Sequence, residues 1–379
     1  MSIPPETDVL IVGAGPVGLV TAIALARRGV DFVIVDALAE RQNQSRAAVI
    51  HARTLAALAG EGLAAPLIDQ GMQVPAFRVR DRAEVLIGAD FGTLDAPFPF
   101  LLMIPQDETE AIFIDKLRAL GREVIRPARV SGIERTSGGA IASIATAGGA
   151  RMIRARRVVG ADGQHSVVRE AAGIAFDGTT YGSFLLADVR LDWPIGPGEV
   201  SLFFSSEGTL VVAPMSRGRH RVVAQLVGAP AEPGIADVQA VIDARGPMDG
   251  GRVREVLWGS RFRVSHRIAD RFHAGPVLLA GDAAHVHSPA GGQGMNLGLR
   301  DGIAAAVALS APDSGAALAV YARDQRRAAE AVLRLTDRLT RVATLEGRMA
   351  RRARNRIIAT AGRFDFARGA LARQLAGYG

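Results

Sequence analysis

Asp8-Val-Leu-Ile-Val-Gly13-Ala-Gly15-Pro16-Val-Gly18 decides the fold: an apolar run, then glycines spaced GxGxxG, then the apolar segment that starts at Leu19. The first part predicts a strand and Leu19 to Arg28 a helix, closed by Gly29, where a residue free to take positive φ is wanted. Phe32-Val-Ile-Val35 predicts a second strand, so residues 8 to 36 form a βαβ unit that opens a parallel sheet. Gly13 makes the tight turn, Gly15 lets a pyrophosphate approach the backbone, and Gly18 packs helix on strand. The helix N-terminus then offers free N–H groups and the positive end of its dipole to phosphate. Asp36 ends the second strand, 23 residues after Gly13, where a carboxylate bonds an unphosphorylated ribose. NAD and FAD fit this box equally well.

A second glycine box separates the two. Val277-Leu-Leu-Ala-Gly281-Asp282 is a buried-strand pattern running into Gly-Asp, followed by Pro289-Ala-Gly-Gly292-Gln-Gly294-Met295-Asn296 and a helix. An acid at a strand end, with a helix start just beyond, suits a second polar ligand segment opposite the first. For FAD, Asp282 accepts a ribitol hydroxyl, and the helix beginning near Met295 aims its N–H groups at the flavin N1 and C2 carbonyl, where negative charge gathers on reduction. A third box, Arg157-Val-Val-Gly-Ala-Asp162-Gly163-Gln-His-Ser166, reads as a strand ending in an Asp-Gly turn before a helix.

With the three boxes in this order and spacing, the chain resembles the group A flavoprotein monooxygenases, the para-hydroxybenzoate hydroxylase-like family, and within it the hydroxylases of aromatic polyketides and phenols. The likeness covers nearly the whole chain and includes Gln44-Ser-Arg46-Ala, His51-Ala-Arg53-Thr-Leu, Pro105-Gln106-Asp-Glu-Thr109 and Thr336-Asp-Arg-Leu-Thr340. The resemblance implies an α/β fold: a GR2-type FAD-binding Rossmann domain interrupted by an antiparallel β-sheet substrate domain, with a helical C-terminus. It implies that Arg46 and Gln106 touch FAD, that Asp162 serves both FAD and a transient nicotinamide, and that Pro289 and Gly292 lie beside the isoalloxazine. It further implies that NADPH or NADH reduces non-covalent FAD, that O2 adds at the flavin C4a, and that the hydroperoxide hydroxylates a phenolic or polycyclic aromatic substrate. Ser288 and Gly302 depart from the proline and alanine commoner in the polyketide branch, departures expected to matter little. Many relatives continue into a thioredoxin-like domain, which residues 1 to 379 do not include.

The rest of the chain fits this frame. Short alternating runs between 179 and 269, separated by Gly and Ser turns, predict the antiparallel layer, and strand-rich residues 73 to 104 join it. The expected division is therefore 1–72, 105–178 and 270–320 for FAD, 73–104 and 179–269 for the substrate layer, and 321–379 for C-terminal helices. Phe184, Phe203, Val211 and Val223 are expected on the sheet face that meets a flat hydrophobic ring.

Composition excludes other classes. The chain has 379 residues, 49% hydrophobic and 22% charged, with no cysteine, so disulfides, thiolate metal sites and cysteine nucleophiles are absent. The net charge of +7 is concentrated at 321–379, which hold 14 arginines against five acids. The remainder is near neutral, so a nucleic-acid surface on the main body is not expected. Val9 to Ala26 is uncharged but glycine-broken, and no positive charge precedes it, so neither a membrane span nor a secretory leader is expected and the protein reads as cytoplasmic. The arginine-rich tail, with little apolar surface for a core, reads as a solvated face or as a dock for a second subunit or an acidic partner. His285, His287, His51 and His220 do not separate as bases, a histidine beside the Gly-Asp box being more often structural, so no catalytic side chain is assigned. The competing readings are a flavin oxidoreductase of the same fold without oxygen insertion and a non-catalytic flavin-binding partner.

Overall fold

The computed structural model describes residues 3–41, 47–205, 207–288, 291–343, 345 and 347–379. Val9 to Val12 are buried in the strand Glu6–Val12, which pairs in parallel with Phe32–Val35 on one side and Gly149–Gly160 on the other. Val277–Leu279 adds a fourth parallel strand, and His273–Ala274 closes that edge antiparallel. Such strands read as continuous apolar runs because both faces of the sheet are covered, one by helices and the other largely by the antiparallel strands Ala128–Thr136 and Gly139–Thr146. The first helix, Pro16–Arg27, begins with its proline at the start, where no N–H is needed, and Gly29 follows its end at φ +69°. That helix packs against Gln293–Leu309. A Cβ on Gly302 would stand 2.6 Å from Thr21 Oγ1, so this departure from alanine lies where the two helices touch and is more consequential than the sequence suggests.

The middle section forms an eight-stranded sheet. Its backbone is the ladder of Phe176–Asp192 on Arg252–Ala269, continued by Arg219–Gln225, Gly208–Met215 and Glu199–Ser205. Ala76–Asp81 and Glu84–Asp90 extend the far edge, while Met72–Val74 and Leu101–Met103 pair in a separate small sheet with Val49–Ile50. Two features depart from the run of short strands expected: Arg252–Ala269 is one long strand, and the helix Ile235–Arg245 interrupts the layer.

That helix explains a correction. Residues directly opposite in an antiparallel ladder share a face. Phe203 lies opposite Leu210, and Leu210 opposite Ala224, so Phe203 is on the face buried beneath Val238, Val241 and Ile242. Val211 lies opposite Val223 and Leu202, and Val223 opposite Leu186, so Val211, Val223 and Phe184 occupy the other face. On that second face Ala213 and Met215 pack with Val74, Leu101 and Met103, and Arg219 pairs with Glu108 at 2.7 Å, tying the sheet to the helix Gln106–Ala119.

The tail is also corrected. The helices Ser314–Ala343, Arg348–Ala361 and Asp365–Leu375 are present, but Ala372, Leu375 and Ala376 enter a core cluster with Val74, Phe77, Leu86 and Phe91. Arg354 is 6% exposed, donates to Val342 O and Ala343 O at 3.1 and 3.2 Å, and lies 4.3 Å over the Phe204 ring. The arginine count hid an amphipathic arrangement whose inner side is small apolar residues and one capping guanidinium.

Candidate active site

The first box builds its turn from close contacts. Gly13 takes φ +99°, and a Cβ there would stand 2.4 Å from Ala161 O; on Gly18 it would stand 1.9 Å from Gly13 O. Gly15 has nothing within 4 Å of its missing Cβ. The helix it begins has no side-chain cap and no acid in its first turn. Two glycines are thus consumed by packing, and the third leaves open space in front of an uncapped N-terminus, the arrangement a phosphate requires. Asp36 accepts from Ala14 N at 2.7 Å and from Arg126 Nη1 at 3.3 Å. Arg126 also donates to Ala14 O at 3.2 Å, so this pair braces the turn from the side. Beside it a groove is lined by Ala39, Arg41, Ile114, Val124 and Arg126.

The Asp-Gly box stands against the same turn, since Ala161 N donates to Val12 O at 2.8 Å. Asp162 accepts from Ser166 Oγ at 2.5 Å and from Val168 N at 3.2 Å, which makes it a support for the short helix Val167–Ala171. Burial pushes its carboxyl up, opposed by the Ser166 hydroxyl and the backbone N–H groups. Gly163, at φ +81°, again has open space where a side chain would be.

At the third strand end, Gly281 takes φ +62° and would drive a Cβ to within 2.8 Å of Val17 Cγ2, so the Gly-Asp turn seats against the first helix. Asp282 is exposed there. Gly292 caps the helix Gln293–Leu309 at φ +63°, with no side-chain cap and no acid in the first turn. Met295 is half-buried in that first turn. Asn296 is fully buried: it accepts from His51 N at 2.8 Å and donates to Val49 O at 2.9 Å and Gly292 O at 2.8 Å. Its side chain is thereby spent on stapling Val49–Ile50 to the helix start, where the first-turn N–H groups of Gln293, Gly294 and Met295 have no intrahelical acceptor. Gln106 N donates to Ala47 O at 3.0 Å, and its side-chain amide donates to Glu110 Oε1 at 2.9 Å. Arg46 and Pro289 lie outside the described residues.

Gly13, Gly15, Pro16, Gly18, Asp36, Asp162, Gly163, Gly281 and Asp282 therefore gather at the carboxyl ends of adjacent parallel strands, the place where ligands enter open α/β sheets. Gly292, Met295, Asn296 and Gln106 border the segment around Ala47 to His51 on the same side. On the second face of the antiparallel sheet Phe184 stacks on Phe262 at 5.4 Å, with half-buried Val223 beside half-buried Leu202 and Val211, which pack against the cluster that holds Ala48 and Ala52. Buried in the same wall, Arg221 forks onto Asp188 with two bonds of 2.7 Å.

Histidines divide on geometry. His285 Nε2 meets Asp301 Oδ2 at 2.6 Å, both fully buried, which supports the structural reading. His220 lies opposite Pro214 and Val189, on the face turned away from the nucleotide edge. Burial, and then the Arg300 guanidinium, push His51 down to about 4. His287 is pushed down to about 3 by burial first and then by His285. Arg126, Asp301 and the Asp188–Arg221 pair escaped sequence reading because their partners are 16 to 90 residues away. The one available signal was Asp301 itself, the single acid of a helix otherwise rich in glycine, alanine and leucine.

An FAD binding domain model matches residues 6–336. The chain is 34% identical over 349 residues to an uncharacterized aromatic compound monooxygenase of Bacillus subtilis, covering 88% of this chain and 68% of that one. It is 37% identical over 306 residues to 6-methylpretetramide 4-monooxygenase of Streptomyces rimosus, covering 79% of this chain and 55% of that one. The chain belongs to the group A flavoprotein monooxygenases. Among solved structures of these flavin hydroxylases, p-nitrophenol 4-monooxygenase from Pseudomonas putida superposes with a TM-score of 0.88 at 25% identity, covering 99% of both chains. Aklavinone-11 hydroxylase, solved with FAD and aklavinone, superposes with a TM-score of 0.74 at 27% identity, covering 88% of this chain and 68% of that one. The protein is thus an FAD-dependent aromatic monooxygenase by family. The open cradles at Gly15 and Gly163 and the two uncapped helix starts are features an FAD of this kind fits. Among the described residues no helix is long and apolar enough to cross a membrane.

Proposed function

We propose that this group A monooxygenase uses NADPH or NADH and O2 to hydroxylate a phenolic or polycyclic, polyketide-like aromatic substrate. The observation that carries the reading is the apolar sheet wall of Phe184, Leu186, Leu202, Val211 and Val223, whose Leu202 and Val211 pack against the cluster of Ala48 and Ala52, in the segment that Asn296 staples to the helix start at Gly292. In this assignment Gly13, Gly15, Pro16 and Gly18 cradle the diphosphate of FAD, and Asp36, braced by Arg126, meets the adenosine ribose. Asp282 accepts the ribityl hydroxyl, and the helix start held by Asn296 turns its free first-turn N–H groups, Met295 among them, to the flavin pyrimidine edge. Gln106 and Arg46 contact FAD from the segment beside Ala47, Pro289 and Gly292 border its ring, and Asp162-Gly163 is shared with the transient nicotinamide. The residue division expected from sequence, with FAD segments at 1–72, 105–178 and 270–320, follows from this assignment.

FAD, when bound, supplies the redox chemistry: it takes two electrons from the nicotinamide and uses O2 to deliver one oxygen atom to the ring. The protein's part is to bind, orient and keep water out. An apolar wall binds a flat ring through its faces and offers few groups to a sugar or an amino acid. His51 and His287, held neutral by burial, add no positive charge at the flavin edge at neutral pH. The helix start at Gln293 to Met295, fastened by Asn296, places backbone N–H donors and the helix dipole where negative charge gathers on the cofactor.

The purified protein is expected to be yellow and to release free FAD on denaturation. A panel of phenols and polycyclic aromatics is then scored for stimulated NAD(P)H oxidation in air. Stimulation by some members supports the reading; equal consumption without oxygen points to a dehydrogenase, and none at all to a binding partner.

A further inference from the structure

Beneath the Gly281-Asp282 turn lies a buried polar cluster with no direct part in the chemistry. Asp301, eight residues into the helix Gln293–Leu309, is fully buried, and its Oδ2 accepts from Gly281 N at 3.1 Å and from His285 Nε2 at 2.6 Å. His285 is equally enclosed, its ring 5.9 Å from Phe272 and 6.1 Å from His287. Tyr321 of the following helix donates to Leu279 O at 2.7 Å, so the strand entering the turn is fastened as well. A carboxylate leaves water only where hydrogen bonds offset its desolvation. An apolar residue at 301 would fill the same helix seam without that penalty, so what the carboxylate holds is informative.

It holds a three-way junction. Gly281 is in the left-handed region, at φ +62°, with Val17 Cγ2 2.8 Å from where its Cβ would be. A Cβ on Gly298 would meet the same Val17 atom at 2.7 Å and Gly281 Cα at 3.2 Å. The first helix, the Gly-Asp turn and the Gln293–Leu309 helix thus touch almost backbone to backbone. Asp301, one turn past Gly298, is the polar group that ties them. Gly281 cannot leave its conformation without giving up the bond to Asp301, and the next residue is Asp282, exposed on the outer side of the turn.

We infer that Asp301, oriented by His285, is a positioning residue for cofactor binding: it locks Gly281 so that the Asp282 carboxylate projects toward the ribityl chain. This rests on the reading of Asp282 as an FAD contact. Asp301 touches no cofactor; it acts through the peptide N–H of Gly281.

The test is flavin release on dilution of the holoenzyme, read by recovery of flavin fluorescence, with circular dichroism checking each variant's fold. Asp301→Ala is expected to hold FAD roughly tenfold or more less tightly, as loss of hydrogen bonds to a charged group implies. Asp301→Asn, which still accepts from Gly281 N–H, is expected to stay within about threefold of wild type. His285→Phe keeps the ring stack but loses the bond to Asp301, and is expected to weaken FAD several-fold. The deciding comparison is Asp282→Ala with and without Asp301→Ala: if Asp301 acts through Asp282, the double variant is no weaker than Asp282→Ala alone. Wild-type retention of FAD in His285→Phe and Asp301→Ala, additive losses in the double variant, or an Asp301→Asn as weak as Asp301→Ala each overturn the inference. If Asp301→Ala does not fold, His285→Phe and Asp301→Asn decide alone. Wild-type retention in Asp282→Ala instead overturns the underlying reading of Asp282, and the inference with it.

Discussion

Asp162 and Asp282 both follow the end of a parallel strand and both stand beside a glycine, yet their surroundings give them different work. Asp162 supports a short helix by accepting from Ser166 Oγ and Val168 N, whereas Asp282 stands exposed on a turn that, in the proposed assignment, meets the ribityl chain. Asp282→Ala is therefore expected to weaken FAD by about 1.5 to 3 kcal/mol, roughly ten- to a hundredfold. Asp162→Ala is expected to cost about 1 kcal/mol of stability through loss of the helix support, with a much smaller effect on FAD. Equal loss of FAD in the two variants would contradict this division. The buried histidines add a pH dependence. His51 and His287 are pushed from 6.5 to about 4 and about 3, so the unfolded chain takes up protons that the folded one refuses. Their contribution is complete above about pH 6.5 and is lost as pH falls below it, by about 2 kcal/mol per histidine at pH 5. Thermal melts at pH 8 and pH 5 check this: the decline should be smaller in His51→Asn and His287→Asn, and an unchanged decline would assign it to carboxylates. Asp36 and Asp282 were legible in sequence because strand, turn and acid are contiguous. Arg126 was not, because its bond to Asp36 spans 90 residues that only the folded sheet brings together.

At the scale of elements, period-two alternation told which runs are strands but not which face meets the site. Phe203 and Val211 lie in neighbouring strands, and only the register, Phe203 opposite Leu210, shows that they point to opposite sides. The same limit applied to the C-terminal helices, whose many arginines drew the reading toward solvent while Ala372, Leu375 and Ala376 reach a core. Deleting residues 348–379 is therefore expected to destabilise the whole protein. Leu375 alone is worth about 1.5 to 3 kcal/mol, and exposing Phe204 adds to it. A denaturant midpoint unchanged by the deletion would return the tail to a merely solvated face. The local geometry of the first glycine box, by contrast, was legible, since Gly13 answers a demand for a turn, Gly15 for open space and Gly18 for a close contact.

Over the whole molecule, a parallel sheet contributes four strand ends and a large antiparallel sheet contributes one apolar wall, and the proposed site lies between them. In the proposed assignment neither layer suffices alone: the strand ends hold FAD, and the wall selects a flat ring and shuts out water. Family membership supplies the FAD-dependent monooxygenase class, and the placement of the wall against the helix starts ties that class to an aromatic substrate. The central claim is that one atom of O2 enters that substrate. The most direct measurement is a turnover in ¹⁸O-labelled dioxygen with NAD(P)H and an aromatic that stimulates its oxidation, followed by mass spectrometry of the product. A hydroxylated product carrying one ¹⁸O atom is the predicted result; a product altered without ¹⁸O, or NAD(P)H oxidised to yield only peroxide with every stimulating aromatic, would contradict it.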